Sequence, residues 1–171
     1  MLSSGVAQTE RYGQGLAQKL SAKTKKASAA RVIALVGELG AGKTAFVRGF
    51  ARGLGIQRRV TSPTFVLARR YRISSRNPYT RNQKTRGKTS TVHSLRHTVA
   101  YRWFWHVDCY RLKDEHDLKE LGFHEILKDP RTIVVIEWAE RIRRAIPRDA
   151  LWITLRHIKR GRAIYLHGKS R

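Results

Sequence analysis

The sequence predicts an α/β fold, a mixed and mainly parallel sheet flanked by helices and closed by a C-terminal antiparallel hairpin. Three observations predict it. Two short β-branched runs, Val32–Val36 and Ile133–Ile136, are apolar at consecutive rather than alternate positions, the pattern of strands covered on both faces. The first run is followed at helical spacing by Phe46, Val47, Phe50, Ala51 and Leu54, with Gly55 where a helix stops. Near the C-terminus, Leu151, Ile153 and Leu155, then Ala163 and Tyr165, alternate on either side of Arg160-Gly161, as paired antiparallel strands do.

Taken in order, residues 1–8 are small and polar and predict a loose start, and Tyr12, Leu16, Ala17 and Leu20 predict an amphipathic helix from Thr9 to Leu20. Between the first strand and its helix lies Gly37-Glu38-Leu39-Gly40-Ala41-Gly42-Lys43-Thr44, which fits G-x-x-x-x-G-K-[ST]. Glycines let consecutive backbone N–H groups turn toward an anion. A lysine then supplies a point charge for β- and γ-phosphates, and a hydroxyl faces Mg²⁺. Strand, loop and helix arrive in the order that aims the helix N-terminus at phosphate, so the expected fold is P-loop NTPase-like.

Thr61-Ser62-Pro63-Thr64, before the apolar Phe65–Ala68, reads either as a capped turn or as a segment that senses the γ-phosphate. From Ser74 to about Thr98 no period is visible, which predicts a basic, flexible insertion between two strands. It either stays solvated or tracks a phosphate backbone; Tyr79, Tyr101 and Trp103 are too sparse to argue a stacking platform. Strand character resumes at Trp103 and runs to Arg111, with His106, Asp108 and Tyr110 on one face by alternation. A helix is expected over Asp114–Leu121, ended by Gly122, and a second over Phe123–Leu127 before Asp129-Pro130. The Thr132–Trp138 strand ends in Glu137, the carboxylate that the Mg²⁺ half of such a site requires, with Glu in place of the usual Asp. A further helix opens at Glu140-Arg141 and ends near Pro147.

Composition sets the outer bounds. At 171 residues and 41% hydrophobic, the chain is expected to form one domain spanning 1–171 with a real core. Lys and Arg number 36 against 12 Asp and Glu, a net charge of +24, and no acidic residue stands between Glu38 and Asp108. Such a surface attracts polyanions, nucleic acid first, unless it reflects a general basic bias of the source proteome. Cys109 is the single cysteine, which excludes an internal disulfide and fits a buried, inert thiol in a reducing compartment. No apolar leader and no membrane-length apolar run is visible, so a soluble cytoplasmic protein without a membrane partner is expected.

Taken together, GELGAGKT (37–44), VTSPTF (60–65), HVDCYRL (106–112), LGFHEIL (121–127) and VVIEWAER (134–141) resemble one family. The chain is similar to TsaE, also called YjeE, the small bacterial ATPase needed for threonylcarbamoyladenosine synthesis on tRNA. Thr9–Gly13 and Leu16-Ala17 resemble that family's opening helix, and the likeness covers all but the insertion and the two tails. The resemblance implies ATP or ADP and Mg²⁺ as cofactors. It implies nucleotide contacts from Glu38, Leu39, Gly40, Ala41, Gly42, Lys43, Thr44 and Ala45, with Thr9 and Arg162 at the base or sugar. Thr44 and Glu137 would hold the metal, and Lys43, Asp108 and Glu137 would carry catalysis. Thr61, Ser62, Pro63 and Thr64 would form a switch, joined by His106, Tyr110, Arg111 and Trp138 as switch or partner residues. The resemblance implies the TsaD–TsaB pair as partners, and the basic surface, read from the charge, offers a contact for tRNA. Whether Asp108, Glu137 or a partner's residue orients the attacking water stays open. The long basic connection before HVDCYRL and the high charge depart from the family. Two other classes share the motif: a small-molecule kinase on the same scaffold, and a basic RNA-binding ATPase.

Overall fold

A computed structural model of the chain describes residues 1–22, 27–74, 101–113, 115–118 and 120–167. Among the described residues seven strands form one sheet, in the order β1-β7-β6-β2-β5-β4-β3. They are β1 (Leu2–Ser3), β2 (Arg31–Val36), β3 (Ala68–Arg72), β4 (Trp103–Asp108), β5 (Thr132–Glu137), β6 (Leu151–Ile158) and β7 (Gly161–His167). The inner strands β6, β2, β5 and β4 are mutually parallel; β3 and β7 run antiparallel to them, and β1, antiparallel to β7, closes that edge in the direction of the inner strands. The predicted mixed sheet with its C-terminal hairpin is therefore the fold observed.

Each face of the sheet buries its own apolar layer. Ile33, Leu35, Phe104, Ile133, Val135, Ile153 and Leu155 pack beneath α1 (Val6–Ala22) and α2 (Lys43–Gly53). Val32, Ala34, Val107, Val134 and Ile136 pack with α3 (Phe123–Lys128) and with the 3-10 segment Ala139–Ala145. That division explains why β2 and β5 are apolar at consecutive positions: both faces lose water, and each buried Ile or Phe contributes on the order of 1.5–3 kcal/mol. α1 and α2 approach so closely that a Cβ at Gly49 would lie 1.8 Å from Glu10 O, and one at Gly13 2.2 Å from Phe46 O. Only glycine allows that helix contact.

Several local expectations are corrected. Residues 1–8 are not loose: β1 adds to the free edge of β7, Leu2 opposite Ala163, and the Met1 ammonium donates to Ile164 O at 2.8 Å. α1 begins at Val6 rather than Thr9, its first helical bond running from Thr9 N to Gly5 O at 3.1 Å. The strand ending HVDCYR stops at Asp108, since Tyr110 N donates to Asp108 Oδ1 at 3.0 Å and turns the chain. The helix expected over Asp114–Leu121 is a 3-10 segment, Glu115–Leu118. The one after Glu137 is also 3-10, kinked at Ile142. Phe65 and Val66 are exposed, and pairing begins only at Ala68. Beyond Ser74, the insertion expected at about 74–98 lies outside the described residues.

Candidate functional site

Parallel strands end together, so the carboxyl ends of β2, β5 and β4 bring Gly37, Glu137 and Asp108 to one rim. The 37–44 loop leaves β2 and enters α2. Gly37 (φ +148°) and Gly42 (φ +100°) hold backbone conformations that side chains resist, and a Cβ at Gly37 would strike Leu155 O at 2.1 Å. The first helical bond of α2 runs from Phe46 N to Gly42 O, 2.9 Å, so earlier N–H groups, those of Thr44 and Ala45 included, lie ahead of the helical ladder. Together with the positive end of the helix dipole they make an anion cradle.

Lys43 is 4% exposed, and its Nζ donates to Gly37 O at 2.6 Å and Glu38 O at 2.9 Å while lying 3.6 Å from the centroid of the Trp138 ring. Burial pushes the Lys43 pKa below its usual value, and the carboxylates of Glu137, Glu140, Asp108 and Glu38 oppose that shift. Phosphate oxygens in the cradle would favour the charged form further. Trp138 adopts φ +58° at the end of β5, which sets its ring between Lys43 and Tyr110, whose ring centre is 5.0 Å away. The guanidinium of Arg141 lies 5.9 Å from Tyr110.

Thr44 and Glu137 meet as the sequence requires. Thr44 Oγ1 donates to Glu137 Oε2 at 2.9 Å, and His106 Nε2 lies 2.8 Å from Glu137 Oε1. A carboxylate only accepts, so His106 carries its proton on Nε2, and Nδ1 is left buried without a partner among the described residues. A buried carboxylate is held here by two donors. Among the described residues no three His, Cys, Asp or Glu side chains form a metal cage. A hydroxyl beside one carboxylate is nevertheless the donor set that Mg²⁺ uses when phosphates and waters complete its shell, so these residues fit that ion.

The TSPTF turn is tied to β4. Asp108 Oδ2 accepts from Ser62 Oγ at 2.6 Å and from Thr64 Oγ1, and the two hydroxyls lie 2.7 Å apart. Pro63 O accepts from Val66 N at 2.8 Å, closing the turn, and the exposed Arg111 stacks on the exposed Phe65 ring at 4.5 Å. Thr61 flanks the turn, half-buried. Thr9 and Arg162 also reach the loop: from a Cβ placed on Gly42, Arg162 Cδ would be 3.1 Å and Thr9 Cγ2 3.5 Å away. The Thr9 hydroxyl is engaged with Ser3 Oγ (2.8 Å) and Gly5 O (3.2 Å), which leaves its methyl toward the loop. Leu39 is 75% exposed at the loop tip.

A cleft of about 390 Å³ opens beside the loop, lined by Val36, Gly37, Glu38, Trp138, Glu140, Thr154 and Arg156. Sequence reasoning missed Glu140, Thr154, Arg156 and also His157, whose Nε2 is 3.3 Å from Leu39 O. Glu140 stands three residues past Glu137 and was within reach of the motif. The β6 residues carried no signal, because only the pairing of Val36 with Thr154 brings them here. Cys109 is buried, and burial pushes its thiol up to about 12, which makes it inert as expected.

A sequence profile of the family described as "Threonylcarbamoyl adenosine biosynthesis protein TsaE" matches residues 3–164. The tRNA threonylcarbamoyladenosine biosynthesis protein TsaE of Treponema pallidum is 35% identical over 130 residues, 76% of each chain. The Bacillus subtilis protein of that name is 33% identical over 125 residues, 73% of this chain and 61% of its own length. The one from Haemophilus influenzae is 29% identical over 157 residues, 91% of this chain and 80% of its own. The crystal structure of YdiB from Bacillus subtilis superposes with a TM-score of 0.59 at 25% identity, covering 94% of this chain and 81% of that one. The chain belongs to the TsaE family.

Proposed function

We propose that this protein is a Mg²⁺-dependent ATPase that serves threonylcarbamoyladenosine formation on tRNA as an accessory to the TsaD–TsaB pair, in the cytoplasm. The observation that carries the reading is the junction of loop and strand: Lys43 at the mouth of the cradle, with Thr44 Oγ1 on Glu137 at 2.9 Å. Bound ATP and Mg²⁺ would supply a phosphoanhydride and a cation that gathers its charge. The chain's own work is then largely electrostatic. The N–H groups of the loop and of the α2 end bind phosphate oxygens. Lys43, released from Gly37 O and Glu38 O, neutralises the β- and γ-oxygens. Thr44 and Glu137 hold the cation, and His106 keeps the Glu137 carboxylate in place. Asp108 braces Ser62 and Thr64 as a switch at the γ-phosphate end. Thr9 and Arg162 border the loop on the side proposed for base or sugar.

Support for the pathway comes from the family match and from relatives named for tRNA threonylcarbamoyladenosine biosynthesis. Lys43→Ala and Glu137→Ala are each expected to lower ATP turnover by at least about a hundredfold, the scale on which loss of one preorganised electrostatic group is felt. Release of inorganic phosphate from purified variants measures this. Wild-type rates in the folded Glu137→Ala protein would remove Glu137 from the site.

A further inference from the structure

At the far end of β4 the sheet carries a second cluster of unlike character. Cross-strand pairing places Arg72 opposite Trp103 and Arg70 opposite Trp105, so all four share the face opposite α1 and α2. The Arg70 guanidinium lies 4.5 Å from the centroid of Trp103 and 5.7 Å from that of Trp105, and Arg102 lies 5.7 Å from Trp103 on its other neighbour. Arg70, Arg72 and Arg102 are exposed and both tryptophans half-exposed. Among the described residues none of these arginines pairs with a carboxylate, although Arg52 and Arg131 do. Trp105 also leans on the core, but Trp103 belongs to neither buried layer. An indole kept outside both cores under guanidinium groups is a surface for flat, anionic ligands.

We propose that Trp103, Trp105, Arg70, Arg72 and Arg102 form a binding platform for a single-stranded RNA segment. Bases stack on guanidinium planes backed by the indoles and on ring surface the guanidiniums leave open, while neighbouring arginines meet the phosphates. A net charge of +24 draws the polyanion in from any direction, and the platform says where its unpaired bases rest. An acidic protein segment would satisfy the charge but would leave the ring faces unused. Along β4, at about 3.3 Å per residue, Trp103 lies roughly 16 Å and Trp105 roughly 10 Å from Asp108, and both face away from α1 and α2, so the two sites are separate. The inference deepens the reading that this chain meets tRNA, and it does not depend on the nucleotide site.

The test is a titration of the full chain with a labelled single-stranded RNA oligonucleotide at several salt concentrations. Duplex RNA and polyglutamate are run alongside, and each variant is checked for ATP turnover and thermal unfolding. Trp103→Ala is expected to weaken single-strand binding about fivefold or more, with the salt slope nearly unchanged. Arg70→Ala is expected to flatten that slope by about 0.7, one phosphate contact on a single strand. Trp103→Phe and Arg70→Lys guard against a folding defect: the first retains most of the affinity, the second retains charge but loses stacking. ATP turnover stays at the wild-type rate in all four, so a failure here is distinct from a failure of the Lys43 and Glu137 assignments. Unchanged affinity in folded Trp103→Ala would overturn the platform. So would polyglutamate binding that depends on Trp103 as strongly as RNA binding does, which would make the surface a protein dock.

Discussion

Glu137 has its two oxygens claimed from opposite sides, by Thr44 on α2 and His106 on β4. If one oxygen turns to Mg²⁺, His106 still fixes the carboxylate through the other, the role that outer donors play around metal ligands. His106→Ala is therefore expected to raise the Mg²⁺ concentration needed for half-maximal ATP turnover by roughly 10- to 100-fold. Nucleotide affinity measured without Mg²⁺ should stay close to wild type, and an equal loss in both would show that His106 only supports the fold. Alternation placed His106 and Asp108 on one face in the sequence, but it could not say that Glu137 lies one strand away. That adjacency comes from β4 and β5 pairing, Asp108 opposite Glu137. Thr44 and Glu137 were legible together because their motif implies the contact. His106 was legible only as a neighbour of Asp108.

At the scale of elements, the site depends on how α2 lies against α1. Gly13, Gly49 and Gly53 let the two helices meet at backbone distance, and Thr9 of α1 then reaches Gly42. Gly49→Ala places a methyl on Glu10 backbone and is expected to destabilise the fold by about 1–3 kcal/mol, the usual range for an overpacked core. Urea unfolding at constant slope measures it, and an unchanged midpoint would mean that the helices separate without loss. The helical period of α2 was readable because its stripe faces a continuous core. The 3-10 segments were read as α-helices because apolar spacing hardly distinguishes three residues per turn from 3.6 over so few residues. β1 was missed because a two-residue strand has no pattern of its own; it exists because β7 offers an open edge.

At the scale of the whole molecule, one sheet carries two sites at opposite ends, an anion cradle at the carboxyl ends of β2 and β5 and an arginine–tryptophan face at the start of β4. Lys43, drawn onto the carbonyls of Gly37 and Glu38 and onto Trp138, is held by its own loop. A chain in this arrangement is expected to hydrolyse ATP slowly by itself. Addition of TsaD and TsaB together should raise the rate at saturating ATP and Mg²⁺, and a rate indifferent to the pair would remove the accessory role.

The sequence alone determined the sheet's buried strands, the phosphate loop, the Thr44–Glu137 pair and the family, because each is a local signal: a glycine pattern, an apolar run or a motif of a few adjacent residues. Tertiary structure alone decided which strands are neighbours. It thereby recruited Thr154, Arg156 and His157 from β6, joined His106 to Glu137, and gathered Arg70, Arg72, Trp103 and Trp105 onto one face. Strand order and register are long-range quantities, set by how the apolar faces pair across the sheet, and no window of sequence contains them.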